Sequence, residues 1–371
     1  MAALIVVGMA AAGCAPAPSL LPPLSGATSL DSSADHACAV VAGGAVRCWG
    51  LNASGELGDV VLTALNVRSS NVAVAVTNLA GIAQVSTGGA STCALTLTAR
   101  VKCWGDNSRG NLGDGNAPTD SAVPVEVVGI ADATQVDTGG SWNACALVTG
   151  GAIKCWGDLF GAGLPVVMSG ITGATQVAVG GSHSCALMAG GTVKCWGMND
   201  VGQLGEGTHT DSTVPVDVVG ITGATQLANG GRYTCALVAG GTVKCWGYGL
   251  SGNLGNGFAN NSDTPVDVIG VSGATQVSTG PTHACAVIAG QAKCWGENYF
   301  GQLGDGTTIN RYLAVDVSGL SGVMQLKAGH NITCALVAGG AVKCWGSNQD
   351  GQLGDGTNTN SSHPVSVAQV G

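Results

Sequence analysis

Cys235-Ala-Leu-Val-Ala-Gly-Gly-Thr-Val-Lys-Cys245-Trp246-Gly247 decides the fold. Two short runs, Cys235 to Val238 and Thr242 to Cys245, are apolar and β-branched, and they flank Ala239-Gly240-Gly241. A three-residue loop with glycine is a common hairpin connection, because glycine supplies the positive φ. With Gly240 at the apex, Val238 faces Thr242, Leu237 faces Val243, Ala236 faces Lys244 and Cys235 faces Cys245. Directly opposed residues carry Cβ atoms about 4.5–5.5 Å apart, so a modest adjustment reaches disulfide geometry.

Close copies of this hairpin recur seven times. They pair Cys38 with Cys48, Cys93 with Cys103, Cys145 with Cys155, Cys185 with Cys195, Cys235 with Cys245, Cys285 with Cys294 and Cys334 with Cys344. The pairs use 14 of the 15 cysteines, and Trp-Gly follows the second of each. In the sixth copy the cysteines are one residue closer, and the deletion falls in the turn, Ala289-Gly290 between Ile288 and Gln291. The sulfurs therefore stay opposed, as a disulfide requires and a free apolar cysteine does not. The competing readings are reduced core cysteines and zinc ligation. The spacing matches no finger or ribbon, however, and each unit offers only two thiols. Seven bridges imply an oxidising compartment.

The second cysteines fall at 48, 103, 155, 195, 245, 294 and 344, separated by 55, 52, 40, 50, 49 and 50 residues. A period near 50 points to a solenoid, propeller or array. One unit, Ile221 to Gly270, holds four strand candidates: Ala224–Leu227, Thr234–Val238, Thr242–Trp246 and Pro265–Ile269. Four short strands per repeat is the content of a propeller blade, and closing seven in a ring leaves only protected edges. The expected fold is all-β, a seven-bladed β-propeller with one cross-strand disulfide per blade.

Composition agrees. Glycine accounts for 62 of 371 residues and charged residues for 9%, yet 45% is hydrophobic; disorder needs the opposite balance. Helical periodicity is nearly absent. A formal net charge of −9 argues against a nucleic-acid partner. No apolar run approaches the ~20 residues that span a bilayer.

The segment His183-Ser-Cys-Ala-Leu…Gly191-Thr-Val-Lys-Cys-Trp-Gly197-Met-Asn199-Asp-Val-Gly202-Gln-Leu-Gly205-Glu-Gly207-Thr208 resembles the repeat of the regulator of chromosome condensation family. Gly301-Gln-Leu-Gly304-Asp-Gly306-Thr307 and Gly351-Gln-Leu-Gly354-Asp-Gly356-Thr357 match equally well. The resemblance covers about residues 26–371 and implies a seven-bladed β-propeller. The paired cysteines depart from the intracellular members and fit an exported bacterial branch. Unit three departs most. Its loop is only Asp158-Leu-Phe-Gly-Ala-Gly-Leu-Pro165, about ten residues short, so a notch is expected in one rim. Units one and two carry extended connections, notably Val60 to Asn78.

Before the repeats, Met1 to Gly13 is apolar and small and ends at the unpaired Cys14. Ala11-Ala12-Gly13-Cys14 resembles a bacterial lipobox, which implies cleavage before Cys14 and lipidation of its thiol. Position 11 is Ala where that motif usually has Leu, and no Lys or Arg precedes the run. An ordinary secretory signal is the alternative. Residues 1–13 thus read as a signal peptide, 14–25 as a tether and 26–371 as the propeller. The lipid anchor would be the only membrane contact, with the protein at a bacterial envelope or cell surface.

No catalytic or cofactor-binding motif stands out, and no cofactor is expected. His36, His183 and His283 precede the first cysteine of their units, but Ser91, Asn143, Tyr233 and Ile332 hold the same position elsewhere. A position that accepts isoleucine is not a repeated catalytic or metal site, so these histidines read as bonding local backbone. Asp305 to Asn310 and Asp355 to Asn360 offer oxygen ligands for calcium but lack the terminal glutamate of an EF-hand loop; Asp-Gly-Thr is more simply a turn. Arg47, Lys102, Lys154, Lys194, Lys244, Lys293 and Lys343 all precede the second cysteine, seven of only 13 basic residues. They form a circle of cations. Either their stems lie along the blades with paired or solvated heads, or they make an anion-attracting ring near the channel. Asp59, Asp114, Glu206, Asp305 and Asp355 should give one rim a negative field.

Apart from the repeat tryptophans, read as blade-packing residues, eight aromatics remain: Trp142, Phe160, Tyr233, Tyr248, Phe258, Tyr299, Phe300 and Tyr312. All belong to units three, five and six and fall in loops or at their edges, where scaffolds place binding residues. They are the expected contact residues for a protein or glycan partner of a monomeric propeller. Three other readings differ in kind: guanine-nucleotide exchange, implied by the resemblance; inhibition of an enzyme by an inserted loop; and carbohydrate binding on aromatic platforms. Fold alone does not choose among them.

Overall fold

The computed structural model describes residues 21–370 except 34, 141 and 159–162. Met1 to Gly13, Cys14, most of the tether and Phe160 lie outside the described residues.

Seven four-stranded antiparallel sheets follow one another in chain order. Blade 1 is β1 (Ala27–Ser32), β2 (His36–Val41), β3 (Ala45–Leu51) and β4 (Ser69–Ala75). Blades 2 to 7 span Ile82–Glu126, Ala133–Val167, Ala174–Asp217, Ala224–Asp267, Ala274–Asp316 and Val323–Ser366. The first strands pack against one another around the axis, so the first strand of each blade is innermost and the fourth outermost. The hairpin register is the expected one: Cys235 faces Cys245, Ala236 faces Lys244, Leu237 faces Val243 and Val238 faces Thr242. In blade 6 Ile288 faces Gln291, and both turn residues take positive φ (Ala289 49°, Gly290 73°), the backbone of a type I′ turn.

All seven expected disulfides form, one in each blade between its second and third strands. Cys38 bonds Cys48, Cys93 bonds Cys103, Cys145 bonds Cys155 and Cys185 bonds Cys195. Cys235 bonds Cys245, Cys285 bonds Cys294 and Cys334 bonds Cys344. Their Cα atoms stand 4.0–4.1 Å apart, and every bonded cysteine is fully buried.

The fourth strand begins earlier than the sequence suggests: in blade 5 it is Ser262–Asp267, not Pro265–Ile269. Pro265, like Pro124, Pro215 and Pro364, sits inside an outermost strand. An edge strand tolerates proline because the missing N–H would face solvent, and the ring thereby blunts its outer edges. The long connection in blade 1 holds a short helix, Val60–Ala64, whose N-terminal amides are capped by the Asp59 carboxylate.

Three sets of polar contacts hold neighbouring blades together. Gln84, Gln135, Gln176, Gln226, Gln276 and Gln325 each clasp one residue of a neighbouring inner strand. Nε2 of the glutamine donates to the main-chain carbonyl and Oε1 accepts from the main-chain N–H. Gln325 thus joins blade 7 to Leu30 of blade 1 (2.9 and 3.0 Å). Blade 1 has Ser29 at this position and holds blade 2 instead through Asp31, which accepts from Thr87 N–H at 2.7 Å. Second, His36, His183 and His283 bond through Nε2 to Thr92, Thr234 and Thr333 of the next blade (2.7–2.8 Å). These histidines bridge blades; the expectation of local backbone partners is corrected, because the second strand they occupy faces the neighbouring blade. Third, six of the seven repeat tryptophans donate Nε1–H to a main-chain carbonyl of the preceding blade. Leu24 N–H also donates to the Val367 carbonyl, and Ala73 N–H on β4 to that of Ala368 (both 2.8 Å), closing the ring between the first and last blades.

Burial lowers the histidine pKa values to about 4 for His36 and about 3 for His183 and His283. Each is neutral in the folded protein but titrates near 6.5 when unfolded. Their stabilisation is present above pH 6.5 and is lost as pH falls towards 4 for His36 and towards 3 for His183 and His283, at about 2 kcal/mol each by pH 5. Asp137, pushed by burial up to about 7, opposes this, and burial raises Asp35 and Glu56 in the same sense. Blade 7 carries Ile332 at the histidine position. The His283→Ile variant should therefore lose about 2 kcal/mol less stability than wild type between pH 7 and 5 in denaturant titrations; equal losses would refute the assignment.

Candidate functional site

Antiparallel strands alternate direction, so the loops joining first to second and third to fourth strands share one face. The inner loops on it are glycine-rich and line a funnel of about 400 Å³ with Arg232 and His330 on its wall. The funnel narrows into the axial channel, about 150 Å³, lined by five of the six clasping glutamines (all but Gln325) with Asp31, Asp137 and Lys327. Lys327 Nζ lies 2.8 Å from Asp31, while Asp137 accepts from Val179 N–H at 2.7 Å.

The third-to-fourth loops surround the funnel, most of them built on one asparagine. In blade 6 Asn298 Oδ1 accepts from Leu303 N–H (2.9 Å), and its Nδ2 donates to Asp305 and to the carbonyls of Thr307 and Ile309. Asp305 also accepts from Thr307 and Arg311, and Asp355 is held by Thr357 and Asn348. The two candidate calcium carboxylates thus spend their oxygens on the turn. Glu206 and Asp114 bond the corresponding Asn199 and Asn107.

The cation circle does not face the channel. Its residues stand on the third strands, one from the outside, where Lys194, Lys244 and Lys293 pair at 2.7 Å with Asp217, Asp267 and Asp316 of the outermost strand. Lys154 donates to the Gly129 carbonyl. Strand alternation puts each lysine on the same flank as its buried repeat tryptophan, and the side chains of Lys194, Lys244 and Lys293 are only 27–28% exposed; sheet order, not spacing, keeps them from the axis.

The aromatics divide. Tyr233 is fully buried and donates its hydroxyl to the His283 carbonyl of the next blade, so its expected partner-binding role is corrected to blade packing. Tyr248 is partly buried against the same core, Phe300 is half-buried, and Tyr312 lies on the outermost strand of blade 6, 42% exposed. Trp142, Phe258 and Tyr299 stand out on the loop face, 42%, 67% and 67% exposed. The Arg109 guanidinium stacks 5.6 Å above the Trp142 ring and pairs with Asp158 at 2.9 Å. Beside these, Met198, Leu250 and Ile309 are exposed in loops of blades 4, 5 and 6. A count of aromatics misses them; apolar residues in loop positions that polar ones hold elsewhere were the available signal.

A closed propeller whose seams repeat the same contacts defines a circular repeat protein. The chain belongs to the regulator of chromosome condensation (RCC1) repeat family, whose models match residues 27–56, 82–111, 174–203 and 325–352, and 190–237, 290–336 and 340–371. No curated protein matches it in sequence. Among solved structures it is similar to human WBSCR16 (21% identity, 86% of this chain and 92% of that one, TM-score 0.77). It is also similar to Prp20p of Saccharomyces cerevisiae, described with its binding to Gsp1p and histones (18%, 91% and 87%, 0.77). A third is the ectodomain of the receptor kinase ACR4 of Arabidopsis thaliana (18%, 92% and 99%, 0.54). At these identities the likeness is one of fold.

Proposed function

We propose that this protein is an exported, lipid-anchored propeller that binds a protein partner through the loop face of blades 3 to 6. The observation that carries export is the set of seven fully buried disulfides, one per blade, since such bonds form and persist in oxidising compartments. Among the described residues no helix is long and apolar enough to cross a membrane, and Cys14 would supply the anchor. The partner surface is supported by exposed Trp142, Met198, Leu250, Phe258, Tyr299 and Ile309 on one face of consecutive blades. Large, stiff aromatic groups on such a face are the side chains that dominate protein interfaces, and Prp20p, which is similar in fold, is described with binding to Gsp1p and histones.

Two measurements test this. Fractionation of the native host should find the chain in the envelope, released by removal of the lipidated Cys14. Against envelope proteins, the variant combining Tyr299→Ala with Phe258→Ala should capture its partner at least about tenfold more weakly with an unchanged melting curve. Cytoplasmic recovery would defeat export, and undiminished capture would defeat the assigned face.

A further inference from the structure

We propose that the seam between blades 3 and 4 is a peptide-binding site that takes a glycine-containing loop of a partner protein, whose main-chain carbonyl accepts the indole N–H of Trp196. The six other seams show what this place holds. There the tryptophan donates at 2.8–3.0 Å to the carbonyl of Gln352, Glu56, Asn111, Gln203, Asn253 or Gln302. The next residue is a fully buried leucine, as with Leu204 and Leu303. Then comes a glycine lying against the indole; a Cβ on Gly205 or Gly304 would stand 2.6 or 2.7 Å from Nε1 of Trp246 or Trp345. Three residues, Gln/Asn/Glu-Leu-Gly, fill each seam.

Blade 3 has no such triplet, because its loop is the short Asp158 to Pro165 connection. Trp196 keeps the common register, facing Ser184 as Trp246 faces Thr234. The residue is 3% exposed, and its Nε1 has no hydrogen-bond partner among the described residues. A buried donor without an acceptor is costly and gains fully from one that arrives.

The outer sheet beside Trp196 is cut short. The outermost strand of blade 3, Val166–Val167, has two residues and pairs only with Lys154 and Cys155 among the described residues; in blade 4 pairing continues to Gly197 and Ser212. Across the seam stand Thr213 and Val214, at positions that loop glycines of the preceding blade approach elsewhere, Asp263 and Ser362 for the first and Thr264 and His363 for the second. Met168 replaces the valine of the other seams and shares a buried cluster with Trp196. An unbranched, flexible side chain is a cover that yields to an incoming loop.

The probe is a synthetic peptide copying residues 199–208, Asn-Asp-Val-Gly-Gln-Leu-Gly-Glu-Gly-Thr. It is titrated into the full chain labelled with ¹⁵N at its eight tryptophans, with the Trp196 signal assigned from the Trp196→Phe variant. The Trp196 indole signal should shift saturably while that of Trp246 stays in place, and Trp196→Phe should bind at least about tenfold more weakly. A second variant, with residues 198–211 grafted in place of 158–165, fills the seam from within and should bind no peptide. No shift at millimolar peptide, equal affinity of Trp196→Phe, or undiminished binding by the graft would each overturn the proposal. The proposal extends the protein-binding reading, but a silent titration counts against this seam alone. The capture experiment with the Tyr299 and Phe258 variant tests the loop face separately.

Discussion

Reduction of the seven disulfides is expected to unfold the protein at 37 °C. Each bridge closes a loop with cysteines 9 or 10 positions apart, and the chain-entropy model gives about 2–3 kcal/mol for a loop of that size. Seven such terms amount to about 14–21 kcal/mol before any discount for non-additivity, as large as the whole stability of a typical folded domain, roughly 5–15 kcal/mol. The physical cause lies in the unfolded chain, which regains freedom when the bridges open. Reduced protein should lose its near-ultraviolet tryptophan signal and its cooperative melting transition. In denaturant, intact mass should differ by fourteen hydrogens between the oxidised and reduced forms, two for each of the seven bridges. A fully reduced sample that melts at the same temperature would remove the bridges from the account of stability, and thiols found free in protein from its native host would remove export.

The Trp345→Ala variant is expected to cost about 3–5 kcal/mol, the range for deleting a large buried aromatic. Trp345 is fully buried among the residues of blades 6 and 7, and its Nε1 donates to Gln302 at 2.9 Å. That carbonyl also accepts from Thr333 at 2.7 Å, so it is not left bare; the loss is mainly packing. Trp142→Ala, on the exposed loop face, should stay within about 0.5 kcal/mol. Denaturant midpoints at constant slope measure both. Comparable costs for the two variants would mean that the seams do not carry the ring.

Some of this was legible in residue order. Cysteines that stay opposed through the one-residue deletion in blade 6, Cys285 and Cys294, set the hairpin register, because a two-residue periodicity permits no slip without breaking the bridge. The missing loop of unit three was equally plain. What it would leave unpaired was not, because the partner of each bonded repeat tryptophan sits some 42–48 positions away in another blade, and 303 positions away for Trp49. Tyr233 shows the limit most clearly: its neighbours in sequence place it at a loop edge, while its hydroxyl is held by a residue 50 positions on.

Sequence by itself determined the repeat, the strand content, the bridges and hence the ring, since each follows from local alternation and turn chemistry. Only the tertiary structure decided which strand faces the axis, which aromatics reach solvent and which donor is left without an acceptor. Those depend on packing one blade against the next, and contacts between residues about fifty positions apart leave no mark on the local pattern of either.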